Sequence, residues 1–147
     1  YTSKLLAGAQ VVDAHDGRLP LLSTHTGVSG VYPSWRNLHD RQLRAIADTG
    51  GVVGIIYSSF FLVPRGREDG VRMVVEHMEH AIRVAGEEHV GLGTDYDGFI
   101  IPPPDLRSAD SYPRLVQAML DAGWSERRIA RVLGGNFLRA FGEMRPG

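Results

Sequence analysis

Apolar residues along this chain fall into short continuous runs that alternate with stretches in which they recur every three or four positions. The first pattern reads as buried strand and the second as amphipathic helix. Three runs stand out: Leu21-Leu22, which leads into Ser23-Thr24-His25-Thr26-Gly27, then Val52 to Tyr57, and Val90 to Gly93. Val52 to Tyr57 is β-branched and nearly unbroken, the pattern of a strand covered on both faces. Between and after the runs come the helical repeats. Leu38, Leu43, Ile46 and Ala47 repeat with Asp40 in the first turn and Gly50-Gly51 as the stop. Val71, Val74, Val75, Met78, Ile82 and Ala85 trace one long stripe that ends at Gly86. Tyr112 to Ala122 predicts another helix, with Pro113 in its first turn and Gly123 as its stop. Ser125-Glu126 begins a shorter one carrying Ile129, Val132 and Leu133, broken at Gly134-Gly135, after which Asn136 caps a last turn that buries Phe137, Leu138 and Phe141. Ahead of all of these, Leu5, Leu6, Ala9 and Val12 predict a helix over residues 3 to 15, closed by Asp16-Gly17.

Strands that alternate with helices build a parallel sheet through crossover connections. Two architectures satisfy that order, a small three-layer sheet or part of a barrel. A closed barrel takes eight strands and roughly 250 residues, more than a chain of 147 holds. In both, the C-terminal ends of the strands open onto the ligand crevice. Those ends carry STHTG, YSS and TDYDG here, a change from core to polar chemistry within one step.

Asp95 is the first charged residue past the third run, and His25 holds the matching place after the first. Asp95 and Asp97 are also ordinary turn formers before Gly98. Imidazole suits a metal or acid-base role, although a single strand histidine is also commonly a satisfied structural residue. The loop Val28 to Asn37 gathers Tyr32, Pro33, Trp35 and Arg36, whose plainest reading is Arg36 stacked on Trp35 at the surface. Ser58 to Asp69 forms a long loop at a strand end, the place of a binding lid or of a disordered insertion. His77 and His80 lie three apart on the long helix; both are assigned to its flank or solvent side rather than to a metal.

Composition narrows the function. A formal net charge of −1 with scattered Lys and Arg gives no basic stripe, so no nucleic acid is expected as a partner and small-molecule chemistry is favoured. With no Cys, disulfides, thiolate metal sites and cysteine nucleophiles are excluded. No apolar run approaches the roughly 20 residues that span a bilayer, and the chain begins at Tyr1 without an initiator Met or a signal-peptide pattern. The expectation is a soluble, cytoplasmic piece of something longer.

STHTG, then RNL with a helix behind it, RAIADTGGVVGI, HVGLGTDYDG and LGGNFLRAF together resemble the membrane dipeptidase (renal dipeptidase) family of zinc peptidases, and they occur in family order across residues 20 to 141. The resemblance implies an α/β fold that is part of a (β/α)8 TIM-type amidohydrolase barrel, with about three parallel strands and outer helices, from the C-terminal portion of the family's chain. It implies His25 as a metal ligand, Arg36 as the receiver of the dipeptide's C-terminal carboxylate, and Asp95 as the catalytic group handling protons at the scissile amide. It implies Zn2+ as the cofactor, two ions in the complete enzyme. The implied partners are a dipeptide substrate, the missing N-terminal part of the barrel and a second copy in a homodimer. Asp97 reads as a turn or supporting residue.

The chain also departs from the pattern. The family's His-x-Asp pair, the glutamate that bridges the two zincs, and a zinc histidine upstream of STHTG have no counterpart, and His15 ends a predicted helix only ten positions before His25. Ile56-Tyr57 stands where the family often has Asn-Phe. Two alternatives stay open: another amidohydrolase, acting on a lactone or an N-acyl amino acid, and a non-catalytic binding or assembly module.

Overall fold

The computed structural model describes residues 11–12, 19–66 and 70–145. Among them, four strands form one sheet in the order β1 (Val11–Val12), β2 (Leu22–Thr26), β3 (Val52–Ile55), β4 (Val90–Leu92). β2, β3 and β4 are parallel neighbours, with Leu22 opposite Val52 and Val53 opposite Val90. The parallel core predicted from the three apolar runs is therefore present; β3 and β4 are two residues and one residue shorter than their runs, and β2 extends past Leu22 through His25 to Thr26. β1 differs from expectation. Val11 and Val12 pair antiparallel with Ser23 and Leu22, so this part of the predicted helix over residues 3 to 15 is extended instead. Two consecutive β-branched residues beside a free strand edge gain a ladder that a helix would not give them. The rest of that predicted helix lies outside the described residues.

The crossovers are helical. α1 (Asp40–Asp48) joins β2 to β3, and α2 (Ser59–Leu62) followed by α3 (Val71–Ala85) joins β3 to β4. α2 is a short helix where a loop is expected, and residues 67–69 of that loop lie outside the described residues. After β4 come a 3-10 turn (Ala109–Ser111), α4 (Tyr112–Asp121), α5 (Glu126–Ala130), whose Ser125 accepts a hydrogen bond from Arg128 N, a π-turn (Arg131–Gly135) and α6 (Asn136–Met144). The Gly134-Gly135 pair kinks the chain within this π-turn without ending the helical path. No described helix is long and apolar enough to cross a membrane.

Strand alternation divides the burial. Val53, Ile55 and Val90 face a core completed by Leu43 and Ile46 of α1, Met73, Val74, Met78 and Ala81 of α3, and Leu115 and Met119 of α4. Leu22 and Val52 form a smaller cluster with Ala140 of α6, joined by Phe137 and Met144. Gly91 makes room for that packing, because a Cβ there would run into the Phe137 ring. α6 thus packs a partly buried Phe137 against the sheet but leaves Leu138 and Phe141 exposed, against the expectation that all three are buried. The inward stripe of α6 is Asn136, Phe137, Ala140 and Met144, so Leu138 and Phe141 fall off it.

Candidate active site at the strand ends

β2 and β4 flank β3, and their C-terminal ends carry His25 and the residues leading to Asp95 onto one rim. His25 Nε2 stands 4.0 Å from Asp95 Oδ2. His25 Nδ1 is 2.8 Å from the Thr24 hydroxyl, which orients the ring and leaves Nε2 facing Asp95. A neutral imidazole with its proton on Nδ1, donated to Thr24, presents the Nε2 lone pair outward, the form a metal or a proton donor needs. Burial lowers the His25 pKa, Asp95 pulls it back up, and Arg36 lowers it further. The direction favours the neutral ring at pH 7.

Asp95 is held by an unusual backbone. Asp95, Asp97 and Phe99 all have positive φ, at 58°, 65° and 60°. Asp tolerates the left-handed region far better than Phe, and three such residues in five positions mark stored strain at a loop that presents chemistry. Gly98 N closes the turn on Asp95 O at 3.0 Å. Asp97 is exposed, in keeping with a turn role.

Arg36 comes from the loop after β2, and its setting differs from the surface stack on Trp35. Trp35 is 82% exposed. The Arg36 guanidinium lies instead over the Phe61 ring, 5.1 Å from its centroid, and Nη1 donates to His25 O at 2.9 Å. Asn37, buried beside it, donates from Nδ2 to Tyr32 O at 2.8 Å and to Phe61 O at 2.6 Å. These bonds fasten the arginine loop to α2. His25, Arg36 and Asp95, together with Ser58, Phe60, Phe61, Gly98, Phe99 and Ile100, line one open pocket of about 470 Å³.

His77 lies elsewhere than expected. Its side chain is fully buried in α3 rather than on the flank: Nδ1 accepts from Val28 N at 2.9 Å and Nε2 lies 2.8 Å from Leu62 O. A neutral ring with its proton on Nε2 makes both bonds, and burial pushes its pKa down to about 4. The signal was in the sequence, since His77 sits three after Val74 and four before Ala81, inside the apolar stripe. His80 is partly buried and holds Asp40 of α1 at 2.7 Å, the bond that keeps the Asp40 carboxyl below its usual range. Neither histidine faces the pocket. Asn37, Ser58 and Phe61 were not singled out as site residues, although Ser58 lies in the polar strand end YSS, because nothing in their own spacing distinguishes them from other loop residues.

The donor types at the rim suit a divalent metal, whereas their number falls short. Among the described residues, no three His, Asp or Glu side chains converge, and a catalytic zinc takes three protein ligands. His25 fits as a single ligand.

Two solved structures share this fold. One is the metallopeptidase dipeptidase AC, of family M19, 35% identical with a TM-score of 0.79 over 86% of this chain and 37% of its own. The other is a metallopeptidase from Rhodobacter sphaeroides liganded with a phosphinate mimic of the dipeptide L-Ala-D-Ala, 35% identical with a TM-score of 0.80 over the same shares. The sheet and its helices thus match part of the α/β barrel fold of these two structures. The family model for membrane dipeptidase (peptidase family M19) matches residues 9–146, and the chain belongs to that family. A Klebsiella pneumoniae protein encoded in the pqqA 5′ region is 38% identical over 129 residues, which cover 86% of this chain and 47% of that protein. The chain thus spans about half the length of this relative.

Proposed function

We propose that this chain is the C-terminal part of a zinc-dependent dipeptidase barrel, and that the complete protein hydrolyses the peptide bond of small dipeptides. The observation that carries the reading is the meeting of His25, Arg36 and Asp95 in one pocket at the strand ends. His25 provides one metal ligand, and elements outside this chain provide the others. When bound, the metal pair supplies Lewis-acid activation of water and of the scissile carbonyl. The residues of this chain do the rest. Arg36 receives the substrate's C-terminal carboxylate with a charged donor whose plane is fixed by Phe61 and by the bond to His25 O. Asp95 takes a proton from the attacking water and returns it to the departing amine nitrogen. The Rhodobacter sphaeroides relative, liganded with a dipeptide mimic, supports this substrate class.

The test is hydrolysis by the full-length, zinc-loaded protein of a panel of dipeptides, N-acyl amino acids and lactones. Preferential cleavage of dipeptides supports the reading, and preference for either other class replaces it. The isolated chain, with one imidazole at the rim, is expected to show no dipeptidase activity even with zinc. Hydrolysis by the purified fragment that is lost in His25→Ala would sink the claim that the other ligands lie outside it.

A further inference from the structure

Three residues from the end of the middle parallel strand, Ser58 sits in the pocket wall that includes His25, Arg36 and Asp95. It is 1% exposed, and its hydroxyl has no hydrogen-bond partner among the described residues. This is unusual for its position. Ser58 precedes α2 as the N-cap residue, where a serine hydroxyl ordinarily accepts from a backbone N–H two or three residues on, yet here it makes no such bond. A buried hydroxyl without a partner is destabilising, and one that also lines a binding pocket marks a place where a bound polar group completes the hydrogen bonding. Tyr57 and Ser59 have unpartnered hydroxyls as well, but neither lines the pocket.

What the hydroxyl meets follows from its neighbours. Arg36 spends Nη1 on the carbonyl of His25 and stacks on Phe61, which is three residues from Ser58. A carboxylate has two oxygens and about four acceptor sites, more than the remaining N–H groups on one side of that guanidinium occupy. A hydroxyl in the same pocket wall supplies a further donor for it.

Resting on the dipeptidase reading, we propose that Ser58 is a substrate-binding residue whose hydroxyl donates to the carboxylate that Arg36 holds. Removing it should harm binding while relieving the free enzyme of an unpaired buried group. The experiment compares full-length, zinc-loaded wild type, Arg36→Ala and Ser58→Ala on a dipeptide and on the same dipeptide with its C-terminus amidated, and records the melting temperature of each without substrate. The expected result for Ser58→Ala is a KM on the free dipeptide raised roughly tenfold, as for loss of one hydrogen bond to a charged group. The effect on kcat should be smaller, the KM effect on the amide largely lost, and the melting temperature unchanged or higher. An unchanged KM, or an equal rise on both substrates, overturns the inference. A lower melting temperature with unchanged KM also overturns it, since the hydroxyl then serves the fold. If wild type and Arg36→Ala discriminate the two substrates as expected while Ser58→Ala matches wild type, only this inference fails. If wild type cleaves neither substrate, the dipeptidase reading fails and takes this one with it.

Discussion

Replacing Arg36 with alanine removes three contacts at once, and the structure separates their consequences. One is the bond from Nη1 to His25 O at 2.9 Å, which steadies the backbone of the rim histidine. Another is the stack on Phe61 at 5.1 Å, worth about 0.5–1 kcal/mol at a partly exposed site. Both belong to the free enzyme, so their loss affects every substrate alike. The third is the proposed charged hydrogen bond to the substrate carboxylate, worth about 1.5–3 kcal/mol. At about 1.4 kcal/mol per factor of ten, that contact alone lowers kcat/KM by roughly one to two orders of magnitude. It is the only one of the three that an amidated substrate lacks from the outset. The assay is therefore steady-state kinetics of full-length wild type and Arg36→Ala on a free and an amidated dipeptide, and the quantity to read is the ratio of the two losses. The free substrate should lose roughly ten times more or beyond. Arg36→Lys should recover little of this, because an ammonium keeps the charge but neither the planar fork nor the ring stack. Equal losses on both substrates would refute the carboxylate role and leave Arg36 as a support for His25 and Phe61.

Two further predictions concern the frame that holds the pocket. The folded protein keeps His77 neutral down to about pH 4, below the 6.5 of an unburied imidazole. As pH falls from 6.5 to 4 the unfolded chain takes up a proton that the fold refuses, so stability declines by about 3 kcal/mol across that window and is fully present above it. Unfolding midpoints of wild type and His77→Gln measured from pH 7.5 to 4 should converge as pH falls; parallel curves would show that His77 is not the titrating group. Asn136 donates from Nδ2 to Glu87 O at 2.8 Å and to Val90 O at 2.7 Å, pinning α6 to the start of β4. Asn136→Ala leaves two carbonyls short of a donor and should cost about 1–3 kcal/mol, read as a lower melting temperature, and an unchanged melt would remove Asn136 from that role.

The parts of this molecule that could be read in advance are those whose information is local. A strand end shows in sequence as an apolar run turning polar within one residue, which is why the sequence assigns His25 and Asp95 to one rim, and they stand 4.0 Å apart. Helix existence is local too, as α1 and α3 show. Burial of a particular helical residue is less local, because a stripe has a centre that the sequence leaves free by a residue or so. His77 is expected on the flank of α3; the fold centres the inward face on Val74, Met78 and Ala81 and buries it. The same latitude misassigned Leu138 and Phe141 on α6.

The setting of Arg36 was the least legible feature, and the reason is the range of the bonds that create it. Its aromatic partner is Phe61 rather than the adjacent Trp35, and the groups that fasten the two loops are side chain to backbone: Asn37 to Phe61 O across 24 positions, and His77 to Val28 N across 49. Such bonds have no period and no preferred spacing. They follow from the parallel sheet, which carries the chain from the end of β2 through α1 and β3 before α2 reaches the arginine loop. In a parallel fold, adjacent strand ends are necessarily separated by a whole crossover, so residues that meet at the rim are distant in sequence. The same topology that makes the rim a site therefore conceals which loop residues complete it. Asp95 shows the contrary case: its orientation is set by positive φ at Asp95, Asp97 and Phe99 and by the Gly98 turn, all within five residues. A carboxylate aimed by local backbone strain keeps its direction whatever the rest of the barrel supplies, whereas a guanidinium aimed by distant partners depends on the packing of α2 and α3. Substitutions in α3, His77 foremost, should therefore disturb substrate binding through Arg36 before they disturb the proton transfer assigned to Asp95.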